Sequence, residues 1–246
     1  MKNLINKTAV VTGGSRGIGA AIARRLAQQG ANIVITYQAS AAKAETVVQE
    51  IEQAGGRALA IRADSADPQA VANAIDEAAK IFGGLHILIN NAGIGRYNDI
   101  GNFTLADFDH IIAVNVRAVF AGCKAALPYM REGGRIISIG SCQAERMPGP
   151  GGSLYAMSKT ALVGLTKGMA RDLGPKGITV NIVHPGPVDT DMNPADGPFS
   201  DYQRSLMAIP AFGTSGDIAS LVAYLAGPES GYITGAGFVI DGGTNI

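Results

Sequence analysis

The sequence predicts an α/β fold, a single doubly wound parallel sheet of about seven strands with helices on both faces, in one domain over residues 1–246. Three observations predict it. Short apolar runs rich in β-branched residues alternate with longer stretches of helical spacing, the pattern of a parallel sheet covered on both sides. A glycine turn, Gly13 to Gly19, joins the first run to the first helix. The other chemistry-bearing positions follow later runs: Asp64, Asn90–Gly93, Ser141 and Pro185–Thr190 all lie just beyond a strand's carboxyl end, where such sheets bind ligands.

The elements follow in order. Thr8–Thr12 is a buried strand, and the helix Ala20–Gln29 after the glycine turn stops at Gly30. Strand runs recur at Asn32–Thr36, Arg57–Arg62, Leu85–Asn90, Arg135–Ile139, Thr179–His184 and Gly237–Ile240. Helical stretches separate them at Ala41–Ala54, Pro68–Phe82, Leu105–Met130, Ser153–Leu173 and Asp217–Leu225. Residues 187–213 are rich in proline and glycine and long enough to form a lid. Its Met192, Phe199, Tyr202, Leu206, Met207 and Phe212 either face a hydrophobic substrate or pack the lid onto the body. Within Ser153–Leu173, one stripe is Leu162, Leu165, Met169 and Leu173, and another is Ala161, Gly164 and Gly168. Two non-polar faces suit a helix packed on its own sheet and on a second subunit, or one buried within a single subunit.

Composition excludes several classes. With 47% hydrophobic residues over 246 positions, the chain can bury a full core. Twenty basic and twenty acidic residues cancel without gathering in blocks, so no footprint for a nucleic-acid polymer or an anionic membrane is present. No apolar run approaches the ~18 residues of a membrane helix, and the amino end enters its first strand too soon to accommodate a signal peptide. Cys123 and Cys142 are the two cysteines, which suits a reducing cytoplasm. His86, His110 and His184 show no ligand spacing, so no metal site is expected.

The glycine turn reads Gly13-Gly14-Ser15-Arg16-Gly17-Ile18-Gly19, a Gly-x-x-x-Gly-x-Gly spacing. Strand, turn and helix form a phosphate-binding unit, in which glycines admit a pyrophosphate and the helix N-terminus offers free N–H groups. Tyr155 and Lys159 stand four residues apart on one helical face. An adjacent cation favours phenolate, so the tyrosine is expected to titrate below its usual ~10 and to exchange a proton with a substrate oxygen that Ser141 also bonds. No histidine is placed by motif to activate Ser141 or Cys142 as a nucleophile.

Taken in order, Thr12-Gly13-x-x-x-Gly17-x-Gly19, Asn90-Asn91-Ala92-Gly93, Ser141 with Tyr155-x-x-x-Lys159, and Pro185-Gly186 resemble the short-chain dehydrogenases/reductases. The resemblance runs to Asp241-Gly242-Gly243 and so covers nearly the whole chain. It implies a Rossmann-type, homotetrameric oxidoreductase that reduces a small-molecule carbonyl. Ser141, Tyr155, Lys159 and Asn115 would be the catalytic group, with Asn115 holding a water that links Lys159 to solvent; the alternative for Asn115 is an amide that satisfies helix backbone. The cofactor would run along Gly13, Ser15, Arg16, Gly17, Ile18 and Gly19, then Tyr37. Asp64 and Ser65 would border its adenine, and Asn91, Ala92 and Gly93 its ribose. Tyr155 and Lys159 would meet the nicotinamide ribose, and Pro185, Gly186, Val188 and Thr190 the nicotinamide side.

The cofactor expected is NADP(H). An acid at the end of the second strand would hold the ribose hydroxyls of NAD; here Thr36-Tyr37-Gln38-Ala39-Ser40 has none, and Arg16 suits a 2′-phosphate. Ser141 and Tyr155 stand fourteen residues apart, one more than is commonest in the family, so the loop over the substrate takes its own path. Two branches of the family remain as alternatives. One is the 3-oxoacyl-(acyl-carrier-protein) reductases, whose acidic carrier would dock on Arg131, Arg135 and Lys176, here interrupted by Glu132. The other binds cyclic di-GMP, and is resembled in Gly186–Asp191, Asn193–Pro198 and Arg146-Met147-Pro148.

Overall fold

A computed structural model describes residues 2–246. Among the described residues, seven strands form one sheet: β1 (Thr8–Val11), β2 (Asn32–Tyr37), β3 (Arg57–Arg62), β4 (Ile87–Asn90), β5 (Arg135–Ile139), β6 (Thr179–Pro185) and β7 (Gly237–Ile240). Their order is β3-β2-β1-β4-β5-β6-β7 and every pairing is parallel. The chain winds outward one way through β3, then returns to the centre and winds the other way from β4. A crevice therefore opens between the carboxyl ends of β1 and β4.

Strand pleating sends alternate residues to opposite faces. Ala9, Val11, Ile33, Ile35, Ile87 and Ile89 pack under the helices α1 (Gly17–Gln28), α2 (Ala41–Gln53) and α8 (Ser215–Ala226). Val10, Val34, Leu88 and Ile136 pack under α3 (Pro68–Phe82), α5 (Ala118–Ala126) and α6 (Ser153–Leu173). Both faces are dry, which is why these strands read as continuous apolar runs. Helix starts have local causes. Pro68 opens α3 with Asp67 accepting from the Gln69 N–H, and Thr214 with Asp217 forms a capping box that starts α8 two residues ahead of the expected Asp217.

Three expectations are corrected. The predicted helix Leu105–Met130 is α4 (Leu105–Ile112), a π-helical turn (Ala113–Arg117) and α5, which ends just before Pro128. The wide turn lets the Asn115 side chain bond the Ile94 backbone in both directions. In α6, Thr166 and Ala170 join Leu162 and Leu173 in the buried stripe, while Leu165 and Met169 are half-buried. The segment 187–213 holds a short helix, α7 (Ser200–Ser205), that periodicity did not show. Among the described residues, no helix is long and apolar enough to cross a membrane, and no three His, Cys, Asp or Glu side chains gather as metal ligands.

The glycines of α1 and α6 differ in what surrounds them. A Cβ on Gly19 would lie 2.4 Å from the Gly13 carbonyl oxygen, whereas one on Gly164 meets nothing within 4 Å. Gly19→Ala is expected to cost about 1–3 kcal/mol by overpacking. Gly164→Ala clears every atom of its own chain and is expected to cost less than Gly19→Ala, helix propensity offsetting any crowding on the outward face. Thermal unfolding checks both: Gly19→Ala should lower the midpoint further than Gly164→Ala.

Candidate active site

The crevice is built around a clasp between β1 and β4. The Thr12 hydroxyl accepts from the Asn91 and Ala92 N–H groups, each at 3.0 Å. The Asn91 amide donates back to the carbonyls of Thr12 (2.9 Å) and Gly13 (3.1 Å). Asn91 is thus used to shape the glycine turn, and only the backbone of Asn91–Gly93 faces the crevice as a bonding group for a ligand. Gly13 takes φ +64°, a conformation that L side chains resist. α1 starts at Gly17, and its N-cap Arg16 makes no side-chain cap, so the first-turn N–H groups beside Ser15, Ile18 and Gly19 point at the crevice. A Cβ on Gly17 would sit 3.4 Å from Thr190 Cγ2, which places the lid directly over this turn.

These residues suit a dinucleotide. The glycine turn and bare helix end form a cradle for a pyrophosphate. At the β2 end, Arg16 Nη1 (3.4 Å) and Lys43 Nζ (2.8 Å) both hold Asp191 Oδ2, so an anion already occupies the position where a 2′-phosphate is expected. Tyr37 closes β2 beside them, half-buried. Asp64 folds its carboxylate back on the Ala66 N–H at 2.8 Å, with Ser65 adjacent. Pro185 ends β6, Gly186 donates to the Ile240 carbonyl, and Val188 is buried where it bridges to Gly213 at the lid's base.

Ser141, Tyr155 and Lys159 converge beside this cradle. Ser141 follows β5 and accepts from the Gln143 N–H at 3.2 Å. Lys159 is buried on α6; its ammonium donates to the Ile139 carbonyl at 2.9 Å and lies 5.8 Å from the Tyr155 ring centroid. A Cβ on Gly93 would be 3.3 Å from Lys159 Nζ and 3.4 Å from Asn115 Oδ1, so the glycine brings all three groups to one point. The Asn115 amide is committed, however, to Ile94 and to Ser158 Oγ (3.0 Å). Its side chain therefore bonds the non-helical backbone at Ile94 and the Ser158 hydroxyl on α6, and satisfies no helix backbone.

The electrostatics correct one expectation. Burial pushes the Tyr155 phenol above its usual value, with Tyr97 adding to the shift; the Ser141 hydrogen bond opposes it. Desolvation outweighs the neighbouring ammonium, and burial also lowers Lys159 itself, to about 8. Tyr155 accordingly stands protonated at neutral pH, the state a proton donor needs. Cys142 is also pushed up, to about 11, by burial and the Asp241 carboxylate, which keeps its thiol inert.

Four residues near the site went unassigned in the sequence. The Tyr97 ring lies 5.7 Å from that of Tyr155 and its hydroxyl donates to Gln143 Oε1. Buried His184 brings Nδ1 to 2.9 Å from the Ser141 carbonyl oxygen and 3.3 Å from its nitrogen, touching the main chain and not the hydroxyl. Lys43 and Asp191 complete the set; only the fold carries them together. The Ser141–Tyr155 loop is tied down from three sides. Gly151 accepts from the Asn98 N–H, Pro148 from the Tyr202 hydroxyl, and Arg146 donates to the Thr244 carbonyl. Arg131, Arg135 and Lys176, by contrast, lie at the amino-terminal edge of β5 and β6, across the sheet from Ser141. Arg135 is buried on the carbonyls of Gly133, Gly134 and Gly227. They form no docking patch at this site.

The lowered Lys159 makes stability depend on pH. The folded chain holds this proton less tightly than the unfolded chain does, so below about 8 the burial cost is present in full. Stability rises as pH moves from about 8 toward the usual lysine value of about 10.4, by on the order of 3 kcal/mol. Lys159→Met should flatten that rise relative to the parent chain in denaturant melts from pH 7 to 10.

The comparisons agree with this geometry. A family model described as Enoyl-(Acyl carrier protein) reductase matches residues 13–245. The Cyclic-di-GMP-binding biofilm dispersal mediator protein of Escherichia coli (strain K12) is 46% identical, over 96% of this chain and 96% of its own. The 3-oxoacyl-(acyl-carrier-protein) reductase FabG of Staphylococcus aureus (strain N315) is 39% identical, over 97% and 98%. A crystal structure of a short-chain dehydrogenase from Burkholderia cenocepacia J2315 in complex with NADP is 59% identical, with a TM-score of 0.98 over 99% of this chain and 100% of that one. The chain belongs to the short-chain dehydrogenase/reductase family of oxidoreductases.

Proposed function

We propose that the chain is an NADPH-dependent reductase of free ketones or aldehydes, acting as a cytoplasmic homotetramer. The observation that carries the reading is the meeting of Ser141, protonated Tyr155 and buried Lys159 beside a dinucleotide cradle at whose β2 end Arg16 and Lys43 gather on one carboxylate, with no acid in Thr36–Ser40 itself. Ser15, Gly17, Ile18 and Gly19 hold the pyrophosphate, Arg16 the 2′-phosphate, and Asp64, Ser65 and Tyr37 the adenosine end. Bound NADPH supplies the hydride.

The substrate oxygen sits between Ser141 and Tyr155. Ser141 donates a hydrogen bond to it, and Tyr155 passes it a proton as negative charge grows there. Lys159, charged at neutral pH, stabilises the phenolate left behind and bonds the nicotinamide ribose. Thr190 and Val188 orient the nicotinamide from the lid. Met192, Phe199 and Tyr202 are exposed and would give the lid an apolar face, while Met207 is buried. That face favours a hydrophobic carbonyl. Subunits meet through the outward face of α6, where Gly164 and Gly168 leave open space, beside exposed Phe120 and Met157.

A carrier-bound substrate is less well supported, because Arg131, Arg135 and Lys176 lie away from the site. A second reading has a specific basis: the 46% identical relative is named as binding cyclic di-GMP. A dinucleotide ligand would compete with NADPH for the cradle.

Tyr155→Phe is expected to reduce turnover at least a hundredfold, as loss of a general acid does, while NADPH affinity stays within about twofold. NADPH oxidation over hydrophobic ketones, cyclic ketones, diketones and an acetoacetyl thioester checks this. Turnover of free ketones supports the reading. Turnover confined to the thioester moves the chain to carrier chemistry, and silence with tight, competing cyclic di-GMP binding moves it to sensing.

A further inference from the structure

The lid and the cofactor's phosphate end share a group. Asp191 Oδ2 accepts from Lys43 Nζ at 2.8 Å and from Arg16 Nη1 at 3.4 Å, in the strap between Thr190 and Asn193. Arg16 belongs to the glycine turn and Lys43 to the first turn of α2, just past β2. All three side chains are half-exposed, and among the described residues Arg16 and Lys43 have no other ion-pair partner. The strap itself is compact. Asp189 accepts from the Ala195 N–H, and Asn193 exchanges two hydrogen bonds with Gln203, so it moves as a unit.

We propose that Asp191 is an internal counter-ion that occupies the Arg16–Lys43 pair in place of the cofactor's 2′-phosphate, and that the phosphate displaces it and unties the lid strap. The inference rests on the NADP(H) reading above. One carboxylate neutralises half of the charge of two cations, whereas a phosphate near neutral pH carries more negative charge and three acceptor oxygens. The existing ion pairs are exposed and screened, and such pairs are weak. The exchange therefore favours the phosphate. It makes Lys43 a second determinant of NADP(H) over NAD(H), and Asp191 a residue that couples cofactor choice to lid freedom. The 2′-phosphate would then release the strap from α2 at Asp191, while the nicotinamide acts separately on its base at Val188 and Thr190.

Dissociation constants for NADPH and NADH, read by cofactor fluorescence in the full chain, test the pairing. Lys43→Ala should weaken NADPH about tenfold and NADH less than twofold. Asp191→Asn should tighten NADPH about threefold and leave NADH unchanged. Hydrogen exchange of residues 189–197 reads the lid directly. Adenosine 2′,5′-bisphosphate should speed exchange there while 5′-AMP does not, and Asp191→Asn should exchange fast with neither nucleotide adding to it. NADPH preference with an Asp191→Asn variant that binds both cofactors like the parent, or more weakly, overturns the counter-ion. Lid exchange slowed equally by both nucleotides overturns the release. A parent chain that binds NADPH no better than NADH overturns the cofactor reading itself and the proposal with it.

Discussion

The site depends on the clasp at the centre of the sheet, where Thr12 and Asn91 exchange hydrogen bonds between β1 and β4. These two strands diverge in their connections, so a crevice opens between their carboxyl ends. The clasp spaces the strand ends, fixes the glycine turn and leaves the α1 N-terminus facing open crevice. It also brings Gly13 so close to Gly19 that no Cβ fits between them. Every later feature of the site is placed against this frame, because α6, the lid and the β5 turn all pack on the same ends.

Desolvation governs the chemistry that the frame holds. Tyr155 and Lys159 are both pushed toward their neutral forms, the phenol upward and the ammonium down to about 8. Burial affects the two in opposite pKa directions, so it leaves a protonated acid beside a cation with little charge to spare. Such an arrangement suits proton donation to an oxyanion forming within reach of Ser141. The Ile139 carbonyl and the close approach at Gly93 hold the lysine in that position. His184 fixes the main chain of Ser141 from below and leaves the hydroxyl free for other partners.

The substrate side is assembled from parts distant in sequence. Tyr97, Gln143 and the pair Met192 and Tyr202 come from three segments, and the long Ser141–Tyr155 loop is anchored by Asn98, Tyr202 and Thr244 near the carboxyl end. The two ends of the loop are set by different elements, Ser141 by β5 and Tyr155 by α6.

The sequence by itself determined the strands, most helices, the glycine turn and the shared face of Tyr155 and Lys159. Each depends on periodicity or on spacing within one element, which local sterics read directly. Only the tertiary structure decided the rest. The helix expected over 105–130 breaks at a π turn, where Asn115 bonds Ile94 in a contact no helical period encodes. The Tyr155 phenol rises where the i, i+4 lysine suggested a fall, because burial is a property of the packed chain and outweighs one neighbouring charge. Asp191 meets Lys43 and Arg16 across 148 and 175 residues. Charges so far apart in sequence become neighbours only when the sheet closes the distance.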